Sequence, residues 1–365
     1  MKEPTILPVD DCVKQFDTFD AILDARSPSE FRLDHLPGAR NTPVLDDEQR
    51  AMIGTLYRQS AFEAKRRGAA LVARNIADIV DALPSGLTRE WRPLVYCWRG
   101  GNRSGALATV LARIGFRVNV LEGGYREFRR LVVAELQELP QRLRFRVLAG
   151  RTGSGKSVLL QRLAALGAQV LDLERIACHR GSVLGGVPAE PQPAQKLFDS
   201  RIWQTLRGFD PQRPVYVESE SKKIGQNHLP DALLDRIRAA DCIRLQTDDQ
   251  VRIALLAADY RHFIDDPQLL WPQLDCLVDL HGRARIAEWK ALAAGGRWAE
   301  FIVAMLHGHY DPAYDRSMKR NFGRLPQAFE LTLAGADPDS VDLAARTIIA
   351  SEARAAETSV SERPA

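Results

Sequence analysis

Apolar residues fall in short blocks that alternate with stretches of helical spacing along most of the chain. Residues 20–24, DAILD, are one such block and predict a short buried strand. A helix start follows: Ser27 suits the N-cap, Pro28 the first helical position, and Glu30 lies three residues after Ser27. LPGARNTPV (36–44) reads as a turn and edge segment, residues 57–83 show helical spacing, and PLVYCW (93–98) predicts a strand. A helix from about Ser104 to Ile114 and a strand over FRVNVLEG (116–123) come next. Strand, loop and helix in this alternation imply a parallel α/β sheet.

The pattern then restarts. LQELPQRLR (136–144) reads as a junction, with Pro140 ending the preceding helix. FRVLAG (145–150) opens a second α/β unit. It continues with a helix at 156–166, a strand over QVLDLE (169–174), a helix near 193–208, a strand over VYVESE (215–220), a helix at 230–240 and a strand over CIRLQT (242–247). Residues 248–308 are almost wholly helical in pattern; FELTLAG (329–335) predicts a last strand and 338–350 a helix. The expected domains are 1–135, a linker at 136–144, and 145–350 with a helical subdomain at about 248–325. The small, polar stretch 351–365 reads as a disordered tail.

Composition narrows the class. With 365 residues, 45% hydrophobic and 27% charged, the chain has the make-up of an ordinary globular protein with room for two cores. No apolar run approaches the roughly 18 residues that span a bilayer, and the N-terminal residues lack a secretory pattern. The five cysteines (Cys12, Cys97, Cys178, Cys242, Cys276) form no C-x-x-C pair. An odd, scattered set argues for a reducing, cytoplasmic compartment and against a disulfide framework. The net charge of +3 permits a nucleic-acid partner without demanding one. Nothing in the pattern speaks to oligomeric state.

Two loops carry candidate chemistry. Cys97-Trp98-Arg99-Gly100-Gly101-Asn102-Arg103-Ser104 joins a predicted strand to a predicted helix, so the thiol lies at the C-terminal edge of a parallel sheet. Loop amides, the helix dipole, Arg99 and Arg103 each favour the thiolate, the nucleophilic form. A buried structural cysteine is the alternative for any free thiol, but this glycine-rich, arginine-bearing setting is unusual for one. The second loop, Gly150-Arg151-Thr152-Gly153-Ser154-Gly155-Lys156-Ser157, fits G-x-x-x-x-G-K-[ST] between a strand and a helix. There Gly150, Thr152, Gly153, Ser154 and Gly155 supply amides to a diphosphate, Lys156 reaches its outer oxygens, and Ser157 can ligate Mg2+. Asp172 and Glu174 end one neighbouring strand and Glu218 and Glu220 another; Asp172, Glu218 and Glu220 are the candidate acidic partners, with solvated strand ends as the alternative. The loop alone does not distinguish ATP or GTP from another diphosphate.

The surroundings resemble known families. DARSPSEFRLDHLPGARNTP (24–43) and LEGGYREF (121–128) are similar to the opening and closing signatures of rhodanese-like domains. That resemblance implies a loop cysteine carrying sulfur or selenium. Arg103 stands six residues after Cys97, one more than in ordinary rhodaneses; this spacing occurs in cysteine phosphatases, and the larger loop suits a tetrahedral oxyanion. The fusion of such a domain to a P-loop NTPase-like α/β domain with a helical insertion resembles the tRNA 2-selenouridine synthases. DDEQRAMIGTLYRQSAFEAKRRG (46–68), LDLERIACHRGSVLGG (171–186), YVESESKKIG (216–225) and HYDPAYDRS (309–317) extend the likeness over roughly residues 5–335.

The resemblance implies a tRNA-modifying transferase acting on wobble 2-thiouridine. Geranyl diphosphate and selenophosphate would be co-substrates, with Mg2+ a candidate cofactor and a selenophosphate-producing enzyme a candidate partner. Cys97, Arg99, Arg103 and Lys156 would be its catalytic residues. Two other classes stay open: a cysteine phosphatase fused to an NTPase, and a sulfur-relay adaptor. For the anticodon region of tRNA, residues 281–324 hold eight Lys or Arg, Arg316, Lys319 and Arg320 among them, against four acids. Trp289, Trp298, Tyr310, Tyr314 and Phe322 are interleaved, as a stacking platform would require. A solvated face over a helical core is the competing reading.

Overall fold

The computed structural model describes residues 3–188 and 190–361. The chain divides into two compact units, Met1–Leu136 with Pro193–Gln204, and Gln137–Gln192 with Thr205–Ala365.

The first unit is built on a parallel sheet of β1 (Thr5–Leu7), β2 (Ala21–Asp24), β3 (Ala39–Asn41), β4 (Pro93–Tyr96) and β5 (Asn119–Leu121), ordered β1-β5-β4-β2-β3. β4 is central and buried at every position, as its unbroken apolar run requires. The helix Asn102–Ile114 covers the sheet through Leu107, Ala108 and Leu111, all fully buried. Helical spacing at 57–83 resolves into two helices, Asp47–Gln59 and Ala61–Asp81. They part at Ser60, whose hydroxyl accepts from the Glu63 N–H at 3.3 Å and caps the second. The edge strand β1 was not anticipated: three residues are too few to show a period.

The helix Tyr125–Arg142 corrects the expected linker at 136–144. Pro140 does not end it, because a proline this close to the C-terminus removes a bond only in the last turn. Nor is 145–350 one continuous domain. The helix Gln195–Arg207 contributes its residues up to Gln204 to the first unit. There Phe198 and Trp203 are buried. The Trp203 ring meets Phe128 edge-on at 5.3 Å, and its indole N–H donates to Glu135 Oε2 at 2.7 Å.

The second unit carries β6 (Arg144–Ala149), β7 (Gln169–Leu171), β8 (Pro214–Glu218), β11 (Asp241–Gln246) and β12 (Phe329–Thr332), parallel and ordered β12-β11-β6-β8-β7. A small antiparallel pair, β9 (Lys223–Ile224) and β10 (Asn227–His228), stands apart. Helices Lys156–Ala165 and Pro338–Ser361 pack on the sheet, joining Leu159, Leu163, Ala345 and Ile348 to Leu148, Ile243 and Leu331. Helicity to Ser361 corrects the expected tail for 351–361; residues 362–365 lie outside the described residues. Between β11 and β12 a helical subdomain closes on its own core, which includes Phe263, Leu274, Ile286, Trp289 and Phe301. Within it, helix Trp298–Met305 runs through a π-helical turn, Leu306–Tyr310, into helix Asp311–Asn321. Such turns are rare and frequent at functional sites. Among the described residues no helix is long and apolar enough to cross a membrane.

Candidate functional site

Cys97 lies just past β4, where the strand gives way to the loop that starts helix Asn102–Ile114. It is 3% exposed, and its Sγ accepts a hydrogen bond from Ser104 Oγ at 3.1 Å. Burial alone pushes the thiol up. The Ser104 hydroxyl and N–H, the Arg99 N–H and the Arg103 guanidinium outweigh that penalty and hold Cys97 below the ordinary thiol value. Arg99 thus acts through its backbone, its side chain being exposed. Arg103 is aimed by Glu30, which accepts from its Nη1 at 2.8 Å, from Arg50 Nε at 2.9 Å and from the Ser27 N–H at 3.1 Å.

The closing signature shapes the loop. Gly124 has φ +62°, and a Cβ there would stand 2.2 Å from Cys97 O and 2.5 Å from Gly100 N. Only glycine permits this approach, which lets the Tyr125 N–H donate to Cys97 O at 2.8 Å. The opening signature works from beneath. Arg26 is buried against Asp24, its Nε 3.0 Å from Oδ1, and its guanidinium lies 4.0 Å from the Tyr125 ring centroid. Tyr125 in turn donates to Asp34 Oδ2 at 2.8 Å, which Ser200 also reaches at 3.1 Å.

In the second unit β6 ends at Ala149, and Gly150 to Gly155 turn into helix Lys156–Ala165. Gly153 and Gly155 take φ of +76° and +89°, and a Cβ on either would run into Leu256 or Leu333 at under 3 Å. Lys156 Nζ donates to Gly150 O at 2.7 Å and Arg151 O at 3.3 Å. Burial lowers its ammonium below the ordinary lysine value, against the pull of Glu174, Glu220 and Glu218. The loop is pinned from the helical subdomain. Buried Arg252 donates to Thr152 O at 2.9 Å and pairs with Asp311 Oδ1 at 2.6 Å, while Arg151 Nη2 pairs with Asp315 Oδ2 at 2.7 Å. The HYDPAYDRS segment thereby braces the P-loop.

The candidate acids separate into roles. Asp172 caps helix Leu173–Ala177, accepting from the Arg175 N–H at 2.9 Å. That cap ends the strand predicted over 169–174 at Leu171 and turns Glu174 inward. Glu174 Oε2, rather than Asp172 beside it at the expected strand end, accepts from the Ser157 hydroxyl at 2.9 Å. Glu218 closes β8 and accepts from the Glu174 N–H through Oε1 at 3.0 Å; its Oε2 is buried without a hydrogen-bond partner. Burial, then mutual repulsion, raises Glu218 well above the carboxylate range and Glu220 to about 7. Among the described residues no group of three or more His, Cys, Asp or Glu is arranged to hold a metal ion. Ser157, Glu174 and Glu218 do fit a Mg2+ that takes its remaining ligands from phosphate and water, and the unpartnered Glu218 oxygen is what such an ion would satisfy.

Lys156, Ser157, Glu174 and Glu220 share one cleft with Arg180, Tyr260 and Tyr314. Tyr314 also borders a larger cleft beside Gly150 and Arg151, where Lys319 stands. Arg316, Lys319 and Arg320 are exposed on helix Asp311–Asn321. Trp289 and Phe322, expected in a stacking platform, are instead buried at 2% and 3%: Trp289 lies on the covered face of helix Arg283–Ala294, and Phe322 follows the last residue of helix Asp311–Asn321. Sequence reasoning missed Ser104, Glu30, Arg252 and Asp311 as supports. The capping-box spacing contained Glu30, and HYDPAYDRS contained Asp311, but no local pattern marks their partners.

A rhodanese-like unit whose loop favours the thiolate, followed by a P-loop sheet with a helical insertion, defines a two-domain α/β protein of a rhodanese–P-loop class. Residues 9–131 match the family described as rhodanese-like domain, and residues 143–268 the tRNA 2-selenouridine synthase AAA domain. The tRNA 2-selenouridine synthase of Nitrosomonas europaea is 32% identical over 265 residues, covering 71% of this chain and 68% of its own length. That of Marinobacter nauticus is 32% identical over 69% of this chain and 68% of its own, and that of a Sulfurovum species 28% identical over 83% and 90%. The chain belongs to the tRNA 2-selenouridine synthase family, whose members are tRNA-modifying enzymes.

Proposed function

We propose that this enzyme converts 2-thiouridine at the wobble position of tRNA to 2-selenouridine in two steps. In the first, the thio sulfur attacks C1 of geranyl diphosphate, the C1–O bond breaks, pyrophosphate departs and the base loses a proton. In the second, the selenium of selenophosphate bonds to C2 of the base, the C2–S bond breaks and the geranylthio group leaves with a proton as the thiol, and water then takes the phosphoryl group from selenium, breaking the Se–P bond and releasing phosphate. The observation that carries this reading is that one chain holds both a thiol held below its ordinary value by Ser104, Arg99 and Arg103 and a P-loop braced by Arg252.

The roles follow from charge. Lys156 and the loop amides are suited to the charge that grows on departing pyrophosphate. A Mg2+ held by Ser157, Glu174 and Glu218 would supply further charge stabilisation there. The Cys97 loop serves the selenium step, with Arg103 as anion clamp. Arg316, Lys319 and Arg320 offer exposed cations to tRNA phosphates.

The test is to incubate the protein with thiolated tRNA, geranyl diphosphate and selenophosphate in nucleotide-free buffer with Mg2+, and to read nucleosides by mass spectrometry. Wild type is expected to yield 2-selenouridine. Cys97→Ser is expected to stop at the geranylated base. Full selenation by that variant refutes the thiol assignment, and a strict requirement for hydrolysable ATP refutes the diphosphate one. Phosphate release from aryl phosphates with no nucleoside change would instead indicate a phosphatase.

A further inference from the structure

Next to the P-loop cleft lies a second cavity whose walls are almost wholly apolar. Leu184, Leu256, Phe263, Trp298, Phe301 and Met305 line it, drawn largely from the helices of the subdomain. It shares Thr152, Leu256, Tyr260 and Tyr310 with the cleft that contains Lys156 and Ser157, so the two spaces meet along one rim. Arg180 stacks over that rim, 5.1 Å from the Tyr260 ring centroid, and also lines the phosphate side. An aromatic and aliphatic hollow is a poor site for a purine, whose ring nitrogens need hydrogen-bond partners, and a good one for hydrocarbon.

We propose that this cavity holds the hydrocarbon tail of the diphosphate ester, with the phosphates on the P-loop and the chain crossing the rim at Tyr260 and Tyr310. The assignment rests on the reading that the P-loop takes an isoprenoid diphosphate, and makes the subdomain the part that selects tail length. Ala257 and Ile264, both half-buried on different helices, line the hollow and not the phosphate cleft, so a larger side chain at either fills the tail space.

Calorimetric titration of the full chain with inorganic pyrophosphate, dimethylallyl diphosphate, geranyl diphosphate and farnesyl diphosphate tests this. In wild type, affinity is expected to rise at least tenfold from pyrophosphate to geranyl diphosphate, about 1.4 kcal/mol. Ala257→Trp and Ile264→Trp, each checked for an intact thermal transition, are expected to lose that gain while binding pyrophosphate within twofold of wild type. Equal weakening of both ligands, or of neither, overturns the assignment. So does a flat series in wild type, which requires no variant. If wild type transfers geranyl yet the series is flat, the tail site alone is wrong; if it binds no geranyl diphosphate and transfers none, the functional reading itself has failed.

Discussion

Removing the Ser104 hydroxyl isolates the contact that most directly favours the Cys97 thiolate. Ser104 Oγ lies 3.1 Å from Cys97 Sγ in a buried setting, and Ser104→Ala deletes it while keeping the backbone N–H that also faces the sulfur. A hydrogen bond to a charged group contributes about 1.5–3 kcal/mol, and each ~1.36 kcal/mol is a tenfold change in the thiolate population. Below the pKa, alkylation of Cys97 by iodoacetamide is therefore expected to slow about 10- to 100-fold. The lower end is favoured, because the Ser104 and Arg99 amides and Arg103 remain. The rate is followed across pH by mass spectrometry of the Cys97 peptide. Exposed Cys276 serves as internal control, and Cys12 and Cys242 stay silent because burial raises them to about 12 and 11. Restricted access to the sulfur cancels in the ratio of variant to wild type. An unchanged pH profile would refute the reasoning and return the shift to the loop backbone.

Lys156→Ala is expected to weaken pyrophosphate binding about 10- to 100-fold, the loss of one charge-assisted contact, while selenation of tRNA supplied already geranylated is partly retained; calorimetry and nucleoside analysis check the two halves. Glu220 is raised to about 7 in the folded chain against an ordinary 4.5, so the unfolded chain binds fewer protons between those values and stability falls as pH rises through that window. Glu220→Gln is expected to flatten that fall in thermal melts run without Mg2+, and a slope equal to wild type would contradict the assignment. Trp203→Ala is expected to cost the first unit about 3–5 kcal/mol, read by denaturant unfolding. A loss below 1 kcal/mol would mean that helix Gln195–Arg207 is not part of that core.

Much of this molecule was readable before any coordinates. The Cys97 and Gly150–Ser157 loops, the central strands β4 and β6 and the following helices are local features, set by runs of apolar residues, glycine positions and cap chemistry that need no partner to be recognised. The expected stacking platform failed at Trp289 because composition does not say which face of a helix is covered, and at Phe322 because it does not say how the chain turns after a helix ends. Pro140 misled because a proline's effect depends on where in the helix it falls. The sequence by itself determined two α/β units, a thiol poised after one strand and a G-x-x-x-x-G-K-S loop after another. Tertiary structure alone decided what tunes them: Ser104 against Cys97, Glu174 in place of Asp172 against Ser157, Arg252 bridging Thr152 to Asp311, and a helix beginning at Gln195 completing the unit that ends at Leu136. Most of those contacts join residues far apart along the chain, where burial and charge pairing act through space and leave no period or spacing to read.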